Sequence, residues 1–332
     1  FLFSDILGDH KIQLGTEMVV NLQRSDYFLL YRLLPYKIDW NFMLYHLAYE
    51  YYDPFSFQNI RLFQDIGMRI ETSKPISRFN RFETAIDIDH IIESQMEYIG
   101  INYYNEQEYQ QNFVESFTTL IPKIKYVWDN ALWNYTHPIA GSRYYIQYRT
   151  SPGINKKSLI FHSTTMDLRK YFPLFNGISM ASHFFYGINW GKDAQKFRLG
   201  GVPWFLSSDS YSTRFFSSDS INATELYFSD YVMPIRGLPI SKKLGRNVFL
   251  ANLELRLPFL MYYFPAIKYF GQLNGVIFTD IGVTWNKKYP SFFSESSWQN
   301  EINTGWIMSY GFGPRFILLG FPWQLDFAWK TS

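Results

Sequence analysis

The chain has 332 residues, of which 47% are apolar and 20% aromatic; its formal net charge is +2 and it has no cysteine. No window offers the roughly eighteen consecutive apolar residues that a membrane-spanning helix needs, which argues against a helical membrane protein. The near-neutral charge gives no support for nucleic-acid binding. The absence of cysteine is compatible with a chain that crosses an oxidising periplasm.

Strand-like runs separated by turn residues fill the whole chain, and no long segment of helical periodicity competes with them. We predict one all-β domain over residues 1–332 with about fourteen strands. In chain order they are Phe1–Leu7, Lys11–Leu22, Tyr27–Leu34, Asn41–Tyr52, Ile60–Thr72, Arg81–Ile92, Val114–Trp128, Arg143–Thr150, Ser158–Tyr171, Ser179–Trp190, Asn247–Leu257, Gly275–Trp285, Trp306–Leu318 and Trp323–Lys330.

Mean hydropathy is only −0.18 although aromatic residues are abundant. A transmembrane barrel has this composition because half of each strand faces water while aromatic side chains collect at both membrane interfaces. A large soluble β-sandwich or propeller would share the strand pattern, but it would not need so many outward-pointing aromatic side chains. The composition therefore favours an antiparallel transmembrane β-barrel.

The period of two assigns faces within strands. In Arg81–Ile92 the charged residues fall on one face, opposite apolar residues, so we expect the charged face to line the lumen. In the last strand the aromatic residues and Leu325 alternate with polar residues and should face lipid. The residues predicted to face the lumen are Arg81, Glu83, Asp87, Asp89, Asn252, Arg256 and Asp326.

Connection lengths indicate an orientation, because such barrels have short periplasmic turns and long extracellular loops. The long segments Ser94–Phe113, Gly191–Arg246 and Asn286–Gly305 alternate with short connections such as Leu174–Gly177. Residues 191–246 are therefore predicted to form a large loop that is extracellular or folded into the lumen. Pro258–Asn274 is unusually long for a periplasmic turn.

The segment Tyr231–Phe259 combines a loop containing Ile235-Arg236-Gly237-Leu238 with a strand in which Asn252, Glu254 and Arg256 alternate with apolar residues. Downstream, Phe278-Thr279-Asp280-Ile281-Gly282 places Asp280 on the polar face of a neighbouring strand. Earlier, Phe197-Arg198-Leu199-Gly200-Gly201 opens the loop, and a Gly311-x-Gly313…Gly320-x-Pro322 pattern closes the chain.

These motifs resemble those of the outer-membrane assembly-factor superfamily, also called the bacterial surface antigen family, which includes BamA-like insertases and two-partner secretion transporters. The family's sixth loop carries V/I-R-G-F/Y, with Leu238 replacing the aromatic residue here. The resemblance implies that Arg236 reaches into the barrel and meets Glu254 and Asp280. It also implies a sixteen-stranded barrel in the outer membrane of a Gram-negative bacterium. The residues Phe3–His10 resemble the start of barrels that follow TolB-like propellers.

Aligning the Arg236 loop with the family makes Phe1–Leu7 the second strand and Trp323–Lys330 the fifteenth. We therefore expect this sequence, which begins with Phe and has no signal peptide, to be a fragment. Both seam strands and an upstream periplasmic domain would lie outside it. The first and last strands of the fragment should then not pair with each other.

For the loop we predict a latch in which Arg236 binds both acids while Gly237 permits a tight turn. A solvated loop arginine is the alternative.

Asp87, Asp89 and His90 could indicate a metal site, but His90 lies on the opposite face, so a solvated lumen wall is the better interpretation. The His, Asp and Ser residues are too scattered to nominate a catalytic set, so no enzyme, metal or cofactor is predicted.

The resemblance implies a barrel that helps insert or translocate polypeptides at the outer membrane. Its partners would be outer-membrane lipid, client polypeptides, and periplasmic or lipoprotein subunits. Two alternatives remain: a barrel that anchors a periplasmic domain, and a diffusion pore for solutes.

Overall fold

A computed structural model describes residues 1–17, 24–52, 59–101, 107–133, 137–175, 177–201, 227–239, 242–258, 274–287, 305–318 and 321–331. Nearly all regular structure there is β-strand. The strands are β1 Leu2–Ser4, β2 His10–Glu17, β3 Asp26–Leu33, β4 Asp39–Tyr52, β5 Asn59–Pro75, β6 Asn80–Ile101, β7 Gln107–Asp129, β8 Leu132–Trp133, β9 Pro138–Pro152, β10 Ile160–Pro173, β11 Ser179–Trp190, β12 Phe197–Leu199, β13 Asp230–Val232, β14 Lys243–Gly245, β15 Asn247–Leu257, β16 Asn274–Trp285, β17 Gly305–Leu318, β18 Phe321–Gln324 and β19 Phe327–Lys330. Within these ranges no helix is long and apolar enough to cross a membrane.

Sixteen of these strands form one antiparallel sheet in which neighbours in sequence are neighbours in space. The hydrogen-bonded order runs β1 to β7, then β9, β10, β11, β15, β16, β17 and β18; β8 pairs with β9, and β19 pairs with β17. This is the transmembrane barrel wall that the alternating pattern predicted. Among the described residues no ladder joins β1 to β18 or β19, so the sheet does not close on itself.

The strand predicted as Trp323–Lys330 consists of two segments, β18 and β19, which pair with β17 in one continuous register. The interruption falls at Leu325, which lies opposite Pro314, and at Asp326, which lies opposite Gly313. Pro314 has no N–H to donate, so the ladder loses a hydrogen bond at this point. The prediction of one uninterrupted strand was wrong for this reason.

The long loop predicted over Ser94–Phe113 is also wrong. Strand β6 continues to Ile101 and β7 begins at Gln107, so the two strands form a hairpin of 22 and 23 residues. Register shifts at Glu93/Ser94 and Tyr98/Gly100 disturb the alternation of β6, which is why the upper part of the hairpin does not show a strand pattern in the sequence. Polar residues such as Gln110 and Gln111 added to the loop-like composition.

At the start of the chain, the structure shortens one predicted strand. Strand β1 covers Leu2–Ser4 rather than Phe1–Leu7, and β2 begins at His10, one residue before the predicted Lys11. The end predicted for the second strand, Leu22, lies outside the described residues. Most other predicted strands match observed ones to within a few residues.

The sheet exposes apolar side chains on its outer face and buries charged side chains on its inner face, the reverse of the arrangement in a soluble protein. On β6, Phe82, Ile86 and Ile88 are exposed, whereas Asp87 and Asp89 on the opposite face are each only 3% exposed. An apolar outer face suits lipid, and a charged inner face suits a hydrated or protein-filled lumen. The exposed side chains of Trp323, Leu325, Phe327 and Trp329 continue the apolar face on the last strands.

Candidate functional site

The loop between β11 and β15 folds back against the inner face of the sheet. Its short strand β12 pairs in parallel with β13 and antiparallel with β14, which gives the loop its own three-stranded sheet. Apolar side chains of the loop are buried against strands β11, β15 and β17. This cluster contains Phe185, Phe197, Leu199, Val232, Ile235, Leu238, Val248, Leu250 and Ile307. Residues 202–226, 240 and 241 of the loop lie outside the described residues.

The loop also contacts the far side of the inner wall. The Tyr227 hydroxyl lies 3.4 Å from the carbonyl oxygen of Leu47 on β4. Arg149 on β9 pairs with Asp230 at 2.5 Å, and Phe228 packs in a second apolar cluster with residues of β5, β6, β7 and β10. The described part of the loop therefore crosses the lumen.

Arg236 is the charged anchor of this loop. Its Nε and Nη2 donate to the two carboxylate oxygens of Asp280 at 2.8 and 2.6 Å, and its Nη1 donates to Oε1 of Glu254 at 2.6 Å. The backbone N–H of Arg236 donates to the same Asp280 carboxylate at 2.9 Å. Because a planar guanidinium presents its donors as a rigid fork, one arginine can bind Asp280 with two donors and Glu254 with a third, a geometry that an ammonium group does not reproduce.

The surroundings favour the charged form of this arginine. Arg236 is 3% exposed and Asp280 is fully buried. Burial alone would lower the pKa of Arg236, but hydrogen bonds from its guanidinium to Asp280, and the charges of Asp280 and Glu254, raise its pKa above the ordinary value. The guanidinium carbon also lies 3.6 Å from the centre of the Phe278 ring, a cation–π contact.

The F-x-D-x-G residues of β16 act together on the inner face. Phe278 stacks on the guanidinium and Asp280 binds it. Gly282 provides space, because a Cβ there would lie 2.6 Å from Ile235 and 2.9 Å from Leu199. Phe278, Asp280 and Gly282 thus form a surface on the inner face that fits this loop.

Gly237 follows the arginine in a turn with φ of +82°, a conformation that residues with a Cβ rarely adopt. A Cβ at this position would also lie 3.0 Å from the Cβ of Ala328 on β19. Glycine therefore allows the loop to turn closely against the last strand. Leu238, where the family usually has an aromatic residue, is buried in the apolar cluster.

The register places the two acids diagonally rather than directly opposite. Asp280 pairs with Asn252, and Glu254 pairs with Phe278. All four side chains lie on the inner face, and the Arg236 guanidinium reaches the two acids in diagonal rather than opposite positions. Diagonal neighbours on a sheet lie about 7–8 Å apart at Cα, within the span of a guanidinium fork.

A chain of hydrogen bonds extends from the anchor along the wall. Asn252 Nδ2 donates to Asp280 Oδ1 at 2.7 Å and to the carbonyl oxygen of Pro234 at 2.7 Å. His183 bridges Asn252 Oδ1 at 2.8 Å and Asp167 Oδ2 at 3.1 Å. Asp167 in turn accepts two hydrogen bonds from Arg169. The anchor is therefore connected to strands β10, β11, β15 and β16.

The other residues predicted to face the lumen are not gathered at this anchor, apart from Asn252 and Arg256. Arg256 donates to Glu254 from its Nε and Nη2. The remaining residues form local ion pairs and hydrogen bonds on the inner wall: Arg81 with Glu83, Asp87 with Arg69 and Lys123, Asp89 with Tyr45, and Asp326 with Arg315. Within the described ranges no group of three or more His, Asp or Glu side chains has a geometry suited to a metal ion.

Comparison with known proteins gives a family. The model of the Omp85 superfamily domain matches residues 20–332. The chain belongs to the Omp85 superfamily. It is accordingly a β-barrel of the bacterial outer membrane, and its inner-wall anchor is a feature of an Omp85 barrel.

Two solved structures share the Omp85 fold of this chain. BamA from Haemophilus ducreyi lacking POTRA domains 1-3 matches at 14% identity with a TM-score of 0.65, over 99% of this chain and 62% of that chain. CdiB from Acinetobacter baumannii matches at 13% identity with a TM-score of 0.50, over 100% of this chain and 52% of that chain. This chain thus spans less than two thirds of either structure. No curated protein matches it.

Several contacts of the Omp85 anchor were not predicted from the sequence. His183 was set aside as one of several scattered histidines, although the alternation of Ser179–Trp190 places it on the face opposite the exposed Phe184 and Tyr186. The cation–π contact of Phe278 was also missed. Its position two residues before Asp280, on the same strand face, was the available signal.

Proposed function

We propose that this Omp85 barrel assists the insertion or translocation of polypeptides at the outer membrane. The observation that carries the proposal is the Omp85 superfamily domain over residues 20–332, together with a lumen that is occupied by the loop bound through Arg236.

Backbone groups left unpaired in lipid cost several kcal/mol each. A weakly paired barrel seam could satisfy them by accepting a client strand, which is β-augmentation. In this proposal the two seam strands of a sixteen-stranded barrel and a periplasmic domain belong to the longer protein. The loop end of the sheet is extracellular, no side chain performs chemistry, and client polypeptides and periplasmic or lipoprotein subunits are the partners.

The filled lumen favours this role over a diffusion pore. Two of the apolar clusters among the described residues include loop residues, and the Arg236 anchor binds the loop to the inner wall. A solute pathway would need that loop to leave. No comparable observation favours a barrel that only anchors a periplasmic domain.

Reconstitution of the full-length protein in liposomes tests the proposal. A urea-unfolded eight-stranded outer-membrane protein, added as a client, should fold several-fold faster than in protein-free liposomes, as measured by its shift on a cold gel. Equal rates would contradict the proposal and favour the anchor. Large steady conductance of the same protein in a planar bilayer would favour the pore.

A further inference from the structure

A cavity on the inner face adjoins the Arg236 anchor at Glu254 and extends to Trp133 and His137, in the segment between β7 and β9. Its volume is about 280 Å³. Four arginines line it, namely Arg143, Arg169, Arg256 and Arg315, and the one acidic side chain in its described lining is Glu254. Glu254 already accepts hydrogen bonds from Arg236 and Arg256.

Two of these arginines face each other directly. Arg143 on β9 and Arg169 on β10 occupy opposite positions of the antiparallel ladder. Like charges in such a pair destabilise a sheet unless something compensates for their repulsion. Each has a carboxylate beside it, but neither carboxylate lines the cavity: Arg169 binds Asp167, and Arg143 lies 3.5 Å from Asp129.

Donor groups remain available on this pair. Arg169 uses Nε and Nη2 on Asp167, and in the described part of the chain the Arg143 guanidinium makes the Asp129 ion pair but no hydrogen bond. Their side chains are 42% and 49% exposed. Both guanidinium groups can therefore still bind an anion that enters the cavity.

Strands β15 and β17 add two arginines to the lining that are held in place. Arg315 is fixed by Asp326 and by two backbone carbonyl oxygens. Arg256 donates to the carbonyl oxygen of Pro138 as well as to Glu254. These arginines are each about 14% exposed, so they act as a preorganised cationic wall.

His137 also lines the cavity, next to these charges. Burial, together with the neighbouring Arg256 guanidinium, lowers the pKa of His137 to about 4. The imidazole is thus neutral near pH 7. An anion bound beside it would oppose the effect of the arginines.

We propose that this cavity is an oxyanion-binding site that takes a carboxylate or phosphate group between Arg143 and Arg169. Both groups match the fork geometry of guanidinium. This proposal does not rest on a role in polypeptide insertion, because the bound anion would neutralise arginines that belong to the barrel wall.

Calorimetric titration of the full-length protein in zwitterionic nanodiscs tests the proposal, with acetate and inorganic phosphate as probes at constant ionic strength. Each lost guanidinium should weaken binding about tenfold or more. Arg143→Gln and the double variant Arg143→Gln/Arg169→Gln should show this loss in steps. Arg81→Gln is the matched control, since Arg81 is similarly exposed and ion-paired but lies outside the cavity; its binding should stay within about twofold of the wild type.

The outcomes separate the possible ligands. Binding of acetate, of phosphate or of both, each weakened by Arg143→Gln, supports the site and identifies the group it prefers. No saturable heat with either probe overturns the proposal. So does equal binding by the Arg143→Gln and Arg81→Gln variants. If the double variant does not fold, Arg143→Gln alone decides, because the side chain of Arg143 is half exposed and holds little of the wall together.

Discussion

Two buried charge clusters on the inner wall differ in which part of the chain supplies their cationic side chains. Asp280 and Asp87 are both almost fully buried. Asp87 is neutralised by Arg69 and Lys123, which project from the neighbouring strands β5 and β7. Asp280 is neutralised by Arg236, which lies 44 residues earlier in a loop. The first cluster joins strands that are already paired, whereas the second joins a loop to the wall.

The difference sets what each cluster controls. Arg69 lies directly opposite Asp87 in a ladder that extends well beyond both residues, so backbone hydrogen bonds keep these strands together without the ion pair. Among the described residues, no backbone ladder joins the turn at Arg236 to the wall. We therefore expect the wall cluster to affect barrel stability and the anchor to decide whether the loop remains in the lumen.

The largest effect should come from Arg236→Ala. Removing one partner from a buried ion pair costs about 3–5 kcal/mol because the remaining charges are stranded. The loop should detach and become sensitive to added protease in detergent-solubilised protein, with cleavage mapped by mass spectrometry to residues 191–246. A loop that stays as resistant as in the wild type would contradict the anchor.

A smaller effect in the same direction is expected for Asp280→Asn. The amide oxygen can still accept one hydrogen bond, but the charge and the second acceptor are lost, for a cost of about 2 kcal/mol. Loop cleavage should be slower than in Arg236→Ala. In the double variant the two effects should not add, because both remove the same interaction.

Gly237→Ala tests the turn separately from the charge. A residue with a Cβ at φ of +82° costs about 1–2 kcal/mol, and the Ala328 contact adds crowding. Gly8→Ala is the control, since Gly8 has φ of +75° but a Cβ there would make only an ordinary van der Waals contact, 3.7 Å from Lys11 Cε. Both variants should lower stability in urea titrations, but loop cleavage should rise only in Gly237→Ala.

Arg69→Gln should lower the stability of the barrel without releasing the loop. Asp87 keeps Lys123 as a partner, so we expect a loss of about 1 kcal/mol in the free energy of unfolding. The rate of loop cleavage should not change. Release of the loop in this variant would mean that the two clusters are coupled through the wall.

The smallest expected effect is a loss of folding stability at acidic pH. Since burial and Arg256 lower the pKa of His137 to about 4 from an ordinary 6.5, the unfolded chain binds this proton more readily than the folded one. The contribution of His137 to stability is complete above pH 6.5 and is lost as the pH falls towards 4. We expect at most about 1 kcal/mol after allowance for solvent screening. His137→Gln should flatten that part of the urea-midpoint profile against pH.

The alternation of apolar and polar residues was enough to predict most strands and their inward faces, because a strand between lipid and lumen must separate the two kinds of side chain. The prediction of strands failed where apolar and polar residues no longer alternate regularly. The upper part of β6 and β7 contains bulges and polar residues, and Pro314 interrupts the ladder of the last strand.

The anchor residues could be predicted only through the family resemblance. No periodicity in the sequence says that a loop arginine enters the lumen, since the contact joins positions far apart in the chain. The diagonal placement of Glu254 and Asp280 depends on the register of β15 and β16. Loop and turn lengths between two strands do not determine that register to one residue.

Hydrogen–deuterium exchange of the peptide containing Arg236 tests the central claim most directly. In the wild type the amides of Ile235 and Arg236 donate to the carbonyl oxygen of Gly200 and to Asp280, so the account predicts slow exchange. Asp280→Asn should accelerate these amides while those of β5 and β6 remain protected. Exchange in the wild type at the rate of an unstructured peptide would show that the loop is not anchored and would contradict the account.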